Sequence, residues 1–135
     1  MAKVKGGAEA VFKESAQAVV SEMQRPRAKG GRMRVDTGFL RNSLLASTSA
    51  MPSIIPGSGP SDGATYSFDE SAIEAVIAGA ELGETIYVGY TASYAGYREY
   101  GARGQAPDAF VRTATQQWQS IVDSKAAELK KRLGQ

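Results

Sequence analysis

The sequence predicts a mixed fold in which helices at both ends of the chain enclose two strands. Apolar residues recur at helical spacing over residues 4–23, and a second stripe runs over about 25 residues near the C-terminus. Between the stripes, residues 84–90 alternate as a half-buried strand does. The 135 residues are enough for one domain, so we expect a single domain over residues 1–135.

The first helix should end near Arg25, because Pro26 disfavours helical geometry in the residue before it. Residues 25–34 then carry four arginines and one lysine, with two adjacent glycines among them. This composition has little to bury, and it predicts a basic, flexible loop.

A short helix follows the basic loop, and Asp36 or Thr37 can cap it while Gly38 lets the chain turn closely. The next residues predict a strand over 44–50. Residues 51–68 form a Pro/Gly-rich loop, because three prolines and three glycines between positions 52 and 63 leave no helical or strand period.

The segment after this loop allows two interpretations. Asp69 or Ser71 can cap a short helix that ends at Gly79 or Gly83. A β-branched strand over residues 73–78 is the rival interpretation.

The last third of the chain predicts two more helices. Three tyrosines at helical spacing form the first, which Gly101 closes. The final helix starts at Pro107 and Asp108, since proline is tolerated in a first turn and aspartate complements the positive helix end. At 1.5 Å per residue it is roughly 38 Å long, so it must cross the domain or extend to a neighbour.

The amino-acid composition excludes several common kinds of catalytic and metal site, because the chain contains no histidine and no cysteine. Cys/His zinc sites, disulfides, thiol nucleophiles and Ser-His pairs are therefore impossible. Adjacent Asp69 and Glu70 are more typical of helix capping than of acid-base catalysis. Lys29 beside two glycines lacks the spacing of a phosphate loop. We expect no enzymatic activity, no cofactor and no metal.

The net charge of +2 hides a strong division along the chain. Residues 1–41 carry nine basic and four acidic side chains, a net charge of +5. Residues 42–91 carry six acids and no base, and residues 92–135 return to +3. No stretch approaches the roughly 20 apolar residues that span a bilayer, so we expect a soluble protein made inside the cell.

Two clusters are candidates for contact with partners. Clustered arginines over residues 25–41 fit a small nucleic-acid-binding module, although no aromatic side chain occurs among them before Phe39. Five of the six tyrosines lie within fourteen residues, and core packing competes with a subunit contact as the explanation. Trp118 is assigned to the core.

Three short motifs occur in order: residues 36–43 (DTGFLRNS), residues 94–101 (YAGYREYG) and residues 106–112 (APDAFVR). Together they resemble the tail-component family of tailed bacteriophages, the small neck, tail-completion and tail-terminator proteins of the head-to-tail joint. In that family, a Thr-Gly-x-Leu-Arg-x-Ser stretch precedes a Tyr-Ala-x-x-x-Glu-x-Gly stretch and a Pro-x-x-Phe start to the final helix. The matching motif residues are Thr37, Gly38, Leu40, Gly101, Pro107 and Phe110.

The resemblance implies an α+β subunit, with a small, mostly antiparallel sheet flanked by an N-terminal helix and a long C-terminal helix. It implies a structural protein of the virion, made in the host cytoplasm and located in the tail or neck region. It also implies a hexameric ring that contacts tail-tube and head-closure or connector proteins, while genomic DNA passes through the lumen without specific binding.

A ring with head-to-tail contacts needs two different, complementary patches on each subunit. We expect the basic loop, residues 25–34, to meet an acidic surface within residues 62–84 of the adjacent subunit. In a second arrangement, the acidic segment lines the channel and repels DNA. The candidate interface residues are Arg25, Arg27, Arg32, Arg34, Asp62, Asp69, Glu70, Tyr94, Tyr97, Arg98, Glu99 and Tyr100.

Overall fold

A computed structural model describes residues 2–81, 83–101, 104 and 106–133, and this part of the chain contains six α-helices and two strands. They are α1 (Ala2–Gln24), α2 (Phe39–Asn42), β1 (Leu44–Ser47), α3 (Ser71–Gly79), β2 (Tyr87–Tyr90), α4 (Ala95–Tyr100), α5 (Phe110–Thr115) and α6 (Trp118–Arg132). Helices at both ends and a small antiparallel sheet confirm the α+β class. No helix among these residues is both long and apolar enough to cross a membrane.

The sheet consists of β1 and β2, which pair antiparallel with Leu44 opposite Tyr90. Both strands are shorter than their predictions. After Ser47 the chain turns away, because the backbone N–H groups of Ser49 and Ala50 donate to the Ser47 hydroxyl.

One core collects the apolar faces of α1, α3, α5 and the sheet. The Phe110 ring meets the Tyr90 ring edge-on, with centroids 5.1 Å apart. On α3, the inward face carries Ile73 and Ile77, so the helical interpretation of this segment is correct and the strand is wrong. The buried cluster contains Val20, Met23, Met33, Leu40, Leu44, Ile73, Ile77, Tyr90, Ala92, Ala95, Phe110 and Ala114.

The basic loop is folded onto the core, contrary to the prediction of a flexible loop. After α1 ends, as Pro26 predicts, a single 3-10 turn forms at Arg27–Lys29. The backbone N–H of Arg27 donates to the carbonyl of Met33 over 2.7 Å, and the Met33 side chain is fully buried. Met33 supplies the apolar anchor that the composition of residues 25–34 conceals.

The final helix is divided into α5 and α6, so the prediction of one continuous helix is wrong. The N–H of Gln117 donates to the carbonyl of Ala114, three residues back instead of four, and a turn at residues 116–117 interrupts the helix there. The helix also begins later than predicted, because Ala109 has a left-handed φ of 54° and leaves Asp108 outside α5.

Gly38 and Gly79 provide a matched test of the fold. Gly38 has a φ of +87°, and a Cβ there would lie 2.2 Å from the Tyr66 carbonyl oxygen, whereas a Cβ at Gly79 meets nothing within 4 Å. We expect Gly38→Ala to lower the free energy of unfolding by more than about 2 kcal/mol. Gly79→Ala should raise it by about 0.5 kcal/mol. Urea unfolding followed by circular dichroism measures both, and equal effects would contradict this structure of the turn.

Candidate functional site

The three motifs, far apart in sequence, meet in space. The Phe39 ring of the first stacks on the Tyr94 ring of the second, with centroids 6.3 Å apart. The backbone N–H of Asp108 in the third donates to the carbonyl of Arg98 over 2.7 Å. We call this region, residues 36–43, 94–101 and 106–112, the motif junction.

Asp108 lies at the centre of the motif junction and is fully buried. Its Oδ1 accepts hydrogen bonds from Arg34 Nε and, over 3.3 Å, from Arg27 Nη2. Its Oδ2 accepts the backbone N–H of Arg34 over 3.1 Å, and its carbonyl accepts Arg32 Nε over 3.0 Å. A buried carboxylate is tolerated only when it is paired and hydrogen-bonded, so Asp108 holds the basic loop in place.

These contacts change the role of the basic loop. The sequence interpretation directs Arg27 and Arg34 toward acids on a neighbouring subunit, but both guanidinium groups pair with Asp108 of their own chain. Arg25 pairs with Glu22 on the last turn of α1, with 2.6 Å between Nη2 and Oε1. Two carboxylates therefore pair with three of the five basic side chains of the loop, which keeps a net positive charge.

Glu99 is also an internal residue, although the sequence places it at a subunit contact. Its side chain is buried, and its two carboxylate oxygens accept the backbone N–H groups of Val111 and Arg112, each over 2.9 Å. These N–H groups belong to the first turn of α5, where no intrahelical partner exists and the helix dipole favours negative charge. The Glu99 side chain thus caps the N-terminus of α5 from a neighbouring helix.

Other motif residues shape the junction. Thr37 Oγ1 accepts the N–H of Phe39 over 3.2 Å at the start of α2, and Leu40 is buried in the core. Gly101 ends α4 with a φ of 85°, while Pro107 is exposed. Phe110 contacts Tyr90 as described above, so these residues build the subunit.

The outer face of α4 remains accessible. Tyr97 and Tyr100 are 67% and 70% exposed. The Arg112 guanidinium lies 5.5 Å from the Tyr100 ring centroid, and the Arg98 guanidinium lies 5.6 Å from that of Tyr94. The structure thus leaves part of the tyrosine cluster on the surface, where a partner can reach it.

The acidic candidates lie outside the motif junction. Asp69 caps the start of α3, where its Oδ1 accepts the N–H of Ser71 over 2.9 Å. Hydrogen bonding by the Ser71 side chain, and to a smaller extent by its backbone N–H, lowers the pKa of Asp69. Asp62 is exposed and Glu70 is half-buried. Among the described residues, none of these three acids forms an ion pair with a basic side chain.

An open apolar groove between α1, β2 and α5 has no counterpart in the sequence interpretation. Its volume is about 620 Å³, and its walls include Phe12, Val19, Val88 and Tyr100. Trp118, predicted to be core, is 38% exposed and lies at the groove's end. The helical spacing of α1 indicates an apolar face, but only the tertiary structure shows that this face is incompletely covered.

A second groove between α1 and α6 adjoins the first. It is also about 620 Å³ in volume, is almost entirely apolar, and shares Phe12 and Trp118 with the first groove. No residue of α6 is fully buried. The two grooves therefore form one continuous apolar surface along α1.

A buried polar network was also missed by the sequence interpretation. The Tyr90 hydroxyl donates to Gln24 Oε1 over 2.6 Å, and Gln24 Nε2 donates to the carbonyl of Arg41 over 2.8 Å. Arg41 Nε returns a hydrogen bond to the Gln24 carbonyl over 2.8 Å. This network joins the end of α1 to α2 and β2.

No protein-family model matches the chain, and neither curated proteins nor solved structures show a significant match to it. Within the described residues, no group of three or more acidic side chains is placed to hold a metal ion.

Replacing Asp108 tests its role as the anchor of the basic loop. Asp108→Asn keeps the shape but removes the charge that Arg27 and Arg34 face, so we expect a loss of about 2–4 kcal/mol in the free energy of unfolding. The exposed Asp62→Asn should change it by less than about 0.5 kcal/mol. Urea unfolding at neutral pH compares the two variants, and similar effects would contradict the anchoring role.

Tyr90 gives a pH-dependent test. Burial raises the pKa of Tyr90 far above the ordinary value near 10, with a smaller contribution from the Glu99 charge. The unfolded chain ionises at Tyr90 above pH 10 while the folded chain does not, so stability is lost as pH rises through that range. The loss measured by urea unfolding between pH 9 and 11 should shrink in Tyr90→Phe and persist in the exposed control Tyr97→Phe. An unchanged loss in Tyr90→Phe would contradict this assignment.

Proposed function

We propose that the chain is a structural subunit of the head-to-tail joint of a tailed bacteriophage, a neck or tail-completion protein of the tail-terminator kind. Support comes from the ordered set of three motifs and from their convergence in one junction. In this proposal the subunit forms a hexameric ring, contacts tail-tube and head-closure or connector proteins, and surrounds DNA that it does not bind specifically. Its location is the tail or neck of the virion.

The observation that carries this proposal is the continuous apolar surface along α1. Soluble monomers rarely leave large apolar patches exposed, and such patches mark contacts with other macromolecules. Of the three charged residues in its walls, Glu99 and Arg112 already bind within the chain, and Lys130 lies in the second groove. A surface of this kind is suited to protein contact and offers little to a polar substrate.

Nucleic-acid binding by residues 25–41 is the competing function, and the arginine contacts weigh against it. Arg25, Arg27 and Arg34 pair with carboxylates of their own chain. Arg41 donates to the Gln24 carbonyl and lies 5.6 Å from the Phe68 ring centroid. Phosphate binding by these groups requires that internal contacts be broken, which lowers the affinity.

Assembly of the purified protein tests the proposal. We expect a closed ring of a single stoichiometry by native mass spectrometry and negative-stain electron microscopy. Trp118→Ser, at the meeting point of the two grooves, should raise the concentration for half-assembly at least about tenfold, because large aromatic side chains dominate interface energies. Gln119→Ser, on the exposed side of α6, is the matched control and should not change it.

One outcome would contradict the proposed ring. A protein that stays monomeric at every concentration and binds duplex DNA with a steep dependence on salt would contradict the ring and support the nucleic-acid module.

A further inference from the structure

The Pro/Gly-rich loop presents a fixed apolar hook, which we define as residues 51–56. Within it, the side chains of Ile54 and Ile55 are 48% and 55% exposed. Prolines at positions 52 and 56 restrict the backbone on both sides and favour an extended conformation. Two neighbouring isoleucines held in solvent on an extended segment are unusual unless another surface covers them.

The backbone of the hook is bonded to the body of the subunit at Ile55. The N–H of Ile55 donates to the Thr91 carbonyl over 2.8 Å, and Ser58 Oγ donates to the carbonyl of Ile55 over 2.7 Å. The N–H of Ser93 donates in turn to Ser58 Oγ over 3.0 Å. The hook is therefore preorganised, which reduces the conformational entropy that binding would remove.

The groove between α1, β2 and α5 has the complementary character. Its lining is mostly apolar, and it opens to solvent beside β2. Met51, the first residue of the hook, is part of the lining of this groove, but Ile54 and Ile55 are not. Neither isoleucine therefore fills the groove of its own subunit.

We infer that the hook of one subunit inserts Ile54 and Ile55 into the groove of the next subunit. The inference rests on the proposed ring and names the contact that closes it. Hook and groove are different surfaces of the same chain, so their contact is head to tail and repeats around a ring until it closes. Every subunit supplies one hook and one groove, which leaves neither exposed in the closed assembly.

This contact also replaces the charge-based interface predicted from the sequence. Arg27 and Arg34 of the basic loop are already paired with Asp108, whereas hook and groove are apolar surfaces that their own chain leaves uncovered. Contact between them removes apolar surface from water on both sides, without desolvating an unpaired charge.

Cross-linking offers a direct test, because the chain contains no cysteine. Ile55→Cys and Ala16→Cys, the latter in the wall of the groove, are prepared as separate proteins, mixed and treated with a short bis-maleimide. We expect a covalent dimer that contains one copy of each variant. Ala75→Cys, on the exposed side of α3, replaces Ala16→Cys in the control and should give at least tenfold less product.

The outcomes separate the inference from the proposed function. Rings that form without cross-linking above the Ala75→Cys control overturn the hook contact and leave the ring intact. A chain that stays monomeric and gives no product overturns both. A product between two Ile55→Cys copies alone would indicate a symmetric pair of hooks, and it also overturns the head-to-tail contact.

A pair of surface variants provides an independent measurement. Replacing Ile54 and Ile55 together by serine should raise the concentration for half-assembly at least about tenfold and leave the melting temperature of the monomer unchanged. Leu45→Ser is the matched control, because Leu45 is 52% exposed and lies outside both hook and groove. Equal losses of assembly in the two proteins would overturn the inference.

Discussion

The arrangement of the subunit depends on the burial of one carboxylate, that of Asp108. A charge without water must be surrounded by donors, and here the arginines of a loop more than seventy residues away provide them. Drawing that loop inward also brings Met33 into the core. Asp108 itself lies just before α5. It therefore links the loop after α1, the turn after α4 and the start of α5.

The helices bury the core around Asp108, but they leave an apolar groove exposed beside β2. The described sheet has only two strands, which are too few to be stable without helices packed on them. α1 is long enough to contact α3, α5 and α6, but it leaves an apolar groove beside β2. In the proposed ring, a neighbouring subunit covers this groove and supplies the packing that the single chain lacks.

Local patterns predicted much of this fold. The stripe of α1, the stop before Pro26 and the glycine turn at Gly38 depend on neighbours in sequence, and the structure has all three. The strand ends, the break at Gln117 and the starting residue of α5 depend on long-range hydrogen bonds, and the sequence could not define them.

The candidate site was harder to predict. Charge counts separated acidic and basic segments correctly but could not show that one buried aspartate, counted with the C-terminal residues, pairs with two arginines of the basic loop. Residue type likewise could not show that Glu99 caps a helix, since a surface glutamate and a buried one look alike in sequence. Incomplete burial, which defines the groove, is a property of packing alone.

A density map of the assembled protein, detailed enough to show side chains, tests the central claim most directly. The account predicts that the groove between α1 and β2 is filled in every subunit by apolar side chains of the adjacent copy. A closed ring in which that groove faces solvent, while subunits meet through the basic loop and the acidic segment, would contradict it.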